Sequence, residues 1–119
     1  MFEVENKRVM VVGLGSRGQA ACELLCRRGA HVVGVDCADT AELHAAAAGL
    51  RAVGGDIELG VSALPKGNFD LAVISPSVRM DSELVRGLKE GQVSFISELE
   101  LGYQYAKCLG VAKIGRAHV

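Results

Sequence analysis

The stretch Arg8-Val9-Met10-Val11-Val12-Gly13-Leu14-Gly15-Ser16-Arg17-Gly18 decides the fold. Its first half is an unbroken apolar run rich in β-branched residues, the pattern of a central parallel strand covered on both faces. Its second half is too rich in glycine for a strand or a helix interior, so the chain turns there. From Arg17 to Arg28 the apolar residues Ala20, Ala21, Leu24 and Leu25 recur at spacings of three and four, which predicts a helix, and Gly29 supplies its stop. Strand, glycine turn and helix thus follow one another without a linker.

Outward from this unit the same grammar repeats. His31-Val-Val-Gly-Val-Asp36 reads as a second buried strand, and Asp39-Thr-Ala-Glu42 as a capping box that opens an alanine-rich helix to about Ala48. The glycine-punctuated segment from Gly49 to Gly60 holds a short, weak strand around Ile57 to Leu59. Phe69-Asp-Leu-Ala-Val-Ile-Ser75 is a clear strand ended by Pro76, and Asp81 is placed to cap a helix carrying Leu84, Val85 and Leu88 on one face. Gly91 closes that helix before a strand from Val93 to Ile96. Ser97-Glu-Leu-Glu100 is a second capping box, opening a last helix through roughly Ala106 or Cys108. Parallel neighbours need crossovers, and crossovers are right-handed. The reading is therefore an α/β fold: a Rossmann-like open parallel sheet of about five strands, order 3-2-1-4-5, with helices on both faces.

Composition narrows the function classes. The 119 residues, half of them apolar, suffice for one core and leave no room for a second domain of ordinary size. A net charge of -1, with Lys and Arg scattered, argues against nucleic acid as a partner. Runs such as Val9 to Val12 and Ala45 to Ala48 fall far short of the ~20 apolar residues that span a bilayer. Met1 to Asn6 lacks the regions of a signal peptide, so a cytoplasmic protein without a membrane partner is expected. Cys22, Cys26, Cys37 and Cys108 form no CxxC pair, and burial as small apolar groups is their expected role. His31 and His44 have no partner at ligand spacing, so no metal site is expected.

Gly13-Leu-Gly-Ser-Arg-Gly18 fits GxGxxG in its proper context, after a strand and before a helix, and Asp36 ends the second strand at about the expected distance. Gly13 permits the turn, Gly15 lets a diphosphate approach the backbone, and Gly18 lets the helix pack closely on the strand. Amides at the helix start face the ligand, and the aligned peptide dipoles favour an anion there by ~0.3 to 1 kcal/mol at an exposed site. The motif does not name the nucleotide: Asp36 could bond a ribose hydroxyl of NAD or face the base and sugar of a uridine nucleotide. Arg17 could add charge to the diphosphate site or lie solvated in the first helical turn.

Three segments together resemble the MurD-type UDP-N-acetylmuramoyl-L-alanine:D-glutamate ligases. These are Val11-Val-Gly-Leu-Gly-Ser-Arg-Gly-Gln-Ala20, with Arg27-Arg-Gly-Ala30 and the strand ending in Asp36; Ile74-Ser-Pro-Ser-Val78, similar to the family's Ser-Pro-Gly-Val turn; and Ile96-Ser-Glu-Leu-Glu-Leu-Gly-Tyr103, similar to its Gly-Glu-Ile-Glu-Leu segment. The likeness runs from about Lys7 to Ala112. It implies a domain that holds the uridine diphosphate end of UDP-N-acetylmuramoyl-L-alanine. The family's glycine loop falls on Gly13, Leu14, Gly15, Ser16, Arg17 and Gly18, with Ser16 and Arg17 at the diphosphate-contacting positions. Its uracil-side acid falls on Asp36, the next residue on Cys37, and the serine of its Ser-Pro-Gly turn on Ser75. The glycine of that turn is Ser77 here, which adds a side chain where the family brings backbone close to substrate. Glu98 and Glu100 are left outside the site, as helix-start chemistry accounts for them.

The resemblance further implies a whole enzyme that uses ATP and magnesium to form an acyl phosphate, which the amine of D-glutamate attacks. No Gly-x-x-x-x-Gly-Lys-Ser/Thr loop occurs in the chain, so neither cofactor nor catalytic residue is expected in it. Its expected partners are the nucleotide substrate and the central and C-terminal domains of the same enzyme, and binding without turnover is expected of it alone. After Ala112 the sequence changes abruptly to Lys-Ile-Gly-Arg-Ala-His-Val119. One frame of the common sequencing adapter AGATCGGAAGAGCACACGTC, with a base before it that completes a lysine codon, translates to this string. Residues 1–112 are thus read as the binding domain and 113–119 as a non-native tail. Three alternatives stay open: an NAD(P)-binding regulatory or dehydrogenase-like module, the L-alanine-adding ligase of the same pathway, and an α/β interaction domain without a nucleotide.

Overall fold

Val9, Met10, Val11 and Val12 are fully buried, as a strand covered on both faces requires. They belong to β1 (Arg8–Val12), the middle of the sheet in a computed structural model that describes residues 4–76 and 78–108. Around it lie β2 (His31–Asp36), β3 (Asp56–Leu59), β4 (Leu71–Ile74) and β5 (Phe95–Ser97), in the order β3-β2-β1-β4-β5. All neighbours are parallel, with Val12 beside Val35 on one side and Ile74 on the other. This is the topology predicted from the sequence.

The helices are α1 (Ser16–Arg27), α2 (Ala41–Ala52), α3 (Glu83–Glu90) and α4 (Glu98–Cys108). Strand residues alternate between two cores. Val9, Val11 and Val73 meet Ala21, Cys22 and Leu25 of α1, Ala47 and Leu50 of α2, and Leu101 of α4. Met10, Val12, Ala72 and Ile74 meet Leu84, Val85 and Leu88 of α3 on the other face. Because β1 leads to β2 on one side while β4 leads to β5 on the other, the connections after β1 and β4 diverge. The divergence opens a crevice at the carboxyl edge of the sheet, the switch point at which open α/β sheets hold ligands.

Several boundaries differ from the sequence reading. The cap of α2 is Thr40 rather than Asp39, its hydroxyl accepting from the Leu43 amide at 3.2 Å. Asp39 instead pairs with His44, a partner the sequence reading did not assign to that histidine. The cap of α3 is likewise Ser82, accepting from Val85 N at 3.3 Å, because Asp81 is taken by Arg79. Helix α2 continues through Gly49 to Ala52, four residues past the expected end. Strand β4 is shorter than expected, and β5 begins at Phe95 rather than Val93. Among the described residues no helix is long and apolar enough to cross a membrane. Ser77 and the segment 113–119 lie outside the described residues.

Candidate functional site

The glycine turn is built on steric grounds that can be read position by position. Gly13 has φ +93°, and a Cβ there would lie 2.5 Å from Val78 Cγ2 and 2.9 Å from Ser75 Cβ. Gly18 is tighter still: a Cβ would lie 1.8 Å from the Gly13 carbonyl oxygen, so the first turn of α1 rests directly on the turn that precedes it. Gly15 differs from both, with nothing within 4 Å of its missing Cβ. Its bare backbone faces open space at the N-cap of α1.

The turn is braced from both sides. The Leu14 amide donates to Asp36 Oδ2 at 2.8 Å, and Gln19 Nε2 donates to the Leu14 carbonyl at 2.9 Å. Asp36 Oδ1 accepts from the Ala38 amide at 2.9 Å, so one carboxylate ties the ends of β1 and β2 together. Leu14 is spent on the same task, its side chain 1% exposed in the core. Beside Gly13, the buried Ser75 continues β4, its amide donating to Val12 O at 3.0 Å. The sheet edge therefore gathers Gly13 to Gly18, Asp36, Cys37 and Ser75, all sequence-predicted site residues.

Helix α1 starts differently from the other helices. Its N-cap, Gly15, supplies no side-chain bond, and its first turn contains no acid. The amides at the start of the helix therefore keep the positive end of the helix dipole uncompensated by any side-chain cap. Arg17 adds a cation in the same turn. Its Nη1 lies 3.7 Å from Glu98 Oε2, at the start of α4. That oxygen is shielded from solvent and has no hydrogen-bond partner. The sequence reading left Glu98 out because its only visible signal was a capping box. Pairing with Arg17 is a tertiary event.

Next to the turn, on the α3 side, lies a cleft of about 450 Å³. Val12, Gly13, Val78 and Leu84 line it together with Asp36, Cys37, Ser62 and Ser82. Arg79 stands at this cleft with Asp81 on its guanidinium at 2.9 Å, and that bond holds the Asp81 carboxyl below the usual carboxylate range. Cys37 is exposed, whereas burial, with Cys26 adding to it, pushes the Cys22 thiol up to about 12. Cys22 is thereby an inert core residue. Among the described residues, no group of His, Cys, Asp and Glu could hold a metal ion.

No protein-family model matches the chain. Individual proteins do. Over 108 residues, 89% of its length, it is 35% identical to the UDP-N-acetylmuramoylalanine–D-glutamate ligase of Caldanaerobacter subterraneus subsp. tengcongensis. Over 97 residues, 82% of its length, it is 37% identical to the ligase of the same name from Frankia casuarinae. Over more than four fifths of its length the chain is thus similar to part of the MurD-type ligases. It spans about a quarter of the length of these relatives, 24% and 21%. The fold agrees with wider Mur ligase structures. Thermotoga maritima UDP-N-acetylmuramate-alanine ligase MurC superposes with a TM-score of 0.70 at 23% identity, over 85% of this chain and 23% of that one. The Neisseria meningitides UDP-N-acetylmuramate:L-alanyl-gamma-D-glutamyl-meso-diaminopimelate ligase superposes with a TM-score of 0.61 at 25% identity, over 77% and 28%.

The segments that carried the resemblance come together in space. Ile74-Ser-Pro leaves β4 beside the glycine turn, and Glu98 brings the start of the Glu-Leu-Glu-Leu segment to Arg17.

Proposed function

We propose that this domain binds the uridine diphosphate part of UDP-N-acetylmuramoyl-L-alanine, as the nucleotide-holding part of an ATP-dependent ligase that adds D-glutamate during cytoplasmic synthesis of peptidoglycan precursors. The observation that carries the reading is the start of α1: a helix with neither side-chain cap nor first-turn acid, opening at the switch point of the sheet. A diphosphate satisfies such amides and the dipole behind them, and Gly15 leaves space for it to reach the backbone. Ser16 and Arg17 flank that point, Gly13 and Gly18 shape it, and Leu14 acts through its buried position.

Asp36 and Cys37 line the adjacent cleft, and Ser75 and Ser77 complete the proposed set of substrate-binding residues. Uridine is favoured over NAD because both Asp36 oxygens already accept main-chain amides, which weakens Asp36 as a clamp for a ribose diol. The names of the relatives support the same choice. ATP, magnesium and the acyl-transfer chemistry belong in this reading to the central and C-terminal domains of the whole enzyme. The chain contains no Gly-x-x-x-x-Gly-Lys-Ser/Thr loop and is proposed to bind without turnover.

Thermal unfolding of the chain with UDP, UDP-N-acetylmuramoyl-L-alanine or NADH tests the proposal. A ligand specific to the folded state stabilises it by about 2.7 kcal/mol when present at about a hundred times its Kd. The two uridine compounds are expected to raise the midpoint. A rise with NADH alone overturns the reading.

A further inference from the structure

Glu98 has a geometry that its place at a helix start does not require. An acid in the first turn interacts favourably with the helix dipole without being buried, and Glu100 in the same turn is exposed. Glu98 instead turns Oε2 out of solvent, where no donor lies within hydrogen-bond distance and Arg17 Nη1 stands at 3.7 Å. A shielded carboxylate oxygen without a donor is unfavourable, so it draws the guanidinium towards itself. The carboxylate is on a fixed element, because Leu101 anchors α4 in the core and Ser97 Oγ accepts from the Glu100 amide at 3.0 Å. Arg17 is on the less constrained side of the pair, its side chain 56% exposed.

We infer that Glu98 is a positioning residue for Arg17, holding one edge of the guanidinium so that the other is presented to the phosphates at the start of α1. The inference rests on the binding mode proposed above. A guanidinium carries five N–H donors in a planar fork, enough to serve a carboxylate and a phosphate at once. Held by Glu98, this flexible side chain loses less freedom when the anion arrives. Glu98 also repels an anion through space, so the sign of its effect is decisive: positioning predicts weaker binding when it is removed, bare repulsion predicts tighter binding.

The test is a protein-observed NMR titration of the full chain with UDP and with uridine. It compares wild type, Glu98→Gln, Arg17→Ala and the double variant. Glu98→Gln should weaken UDP binding about fivefold, leave uridine unchanged, and shift UDP affinity less than about twofold once Arg17 is gone, as coupled neighbours do. If Glu98→Gln does not fold, Glu98→Asp carries the same expectations, since it keeps the charge at α4 but withdraws it from Arg17. Tighter UDP binding, an equal loss for uridine, or an undiminished loss in the Arg17→Ala background overturns the inference. Wild-type binding of UDP with an indifferent Glu98→Gln overturns the role of Glu98 alone. Absence of UDP binding by the wild type overturns the proposed function with it.

Discussion

The starts of α1 and α2 show the same backbone problem solved in two ways. Both helices leave amides unpaired at their first turn. In α2, Thr40 caps the Leu43 amide and Glu42 faces the dipole, so the end is chemically closed. In α1, Gly15 offers no side chain and the first turn holds Arg17 in place of an acid. The closed starts of α3 and α4, with Ser82, Glu83, Ser97 and Glu98, follow the pattern of α2. The proposed function assigns this one open end, at the sheet's switch point, to an anion.

The contrast can be broken most severely at Gly18. Its added Cβ would strike the Gly13 carbonyl, and backbone cannot move aside cheaply, so Gly18→Ala should cost about 3 kcal/mol in chemical denaturation. Asp36→Ala should cost about 2 kcal/mol, because it strips the acceptor from the part-buried Leu14 amide, and UDP affinity should fall as the turn loosens. Thr40→Ala opens the start of α2 and should cost about 1 kcal/mol without changing UDP affinity, since Thr40 lies outside the cleft. The smallest effect concerns reactivity. A thiol reagent at neutral pH should label the exposed Cys37 in preference to Cys22, whose thiol is held neutral, and UDP should slow labelling of Cys37.

Much of this was legible because buried parallel strands are written as unbroken apolar runs. Val9 to Val12 and Val32 to Val35 needed no tertiary information, and alternation with helices left a single reasonable strand order. The glycine turn was legible for a similar reason, as Gly13 and Gly18 answer local steric demands. The caps were read one residue early because Asp39-Thr40 and Asp81-Ser82 each offer two competent caps in succession. What decided between them was a side-chain partner, His44 in one case and Arg79 in the other. Asp36 lines the cleft and Glu98 is a first-turn acid of α4, but the bond from the Leu14 amide to Asp36 and the approach of Glu98 to Arg17 were not legible. Both depend on contacts between segments distant in the chain, which residue spacing does not encode.

Closing the open end tests the central claim most directly. Gly15 has φ -67° and ψ -173°, a conformation suited to a capping aspartate, and space is free around it. Gly15→Asp should stabilise the chain by about 1 kcal/mol, because it caps α1 and opposes its dipole. The same carboxylate should abolish the rise in melting temperature expected from UDP in the wild type. A Gly15→Asp protein that responds to UDP as fully as the wild type would contradict the assignment of this helix start to the diphosphate.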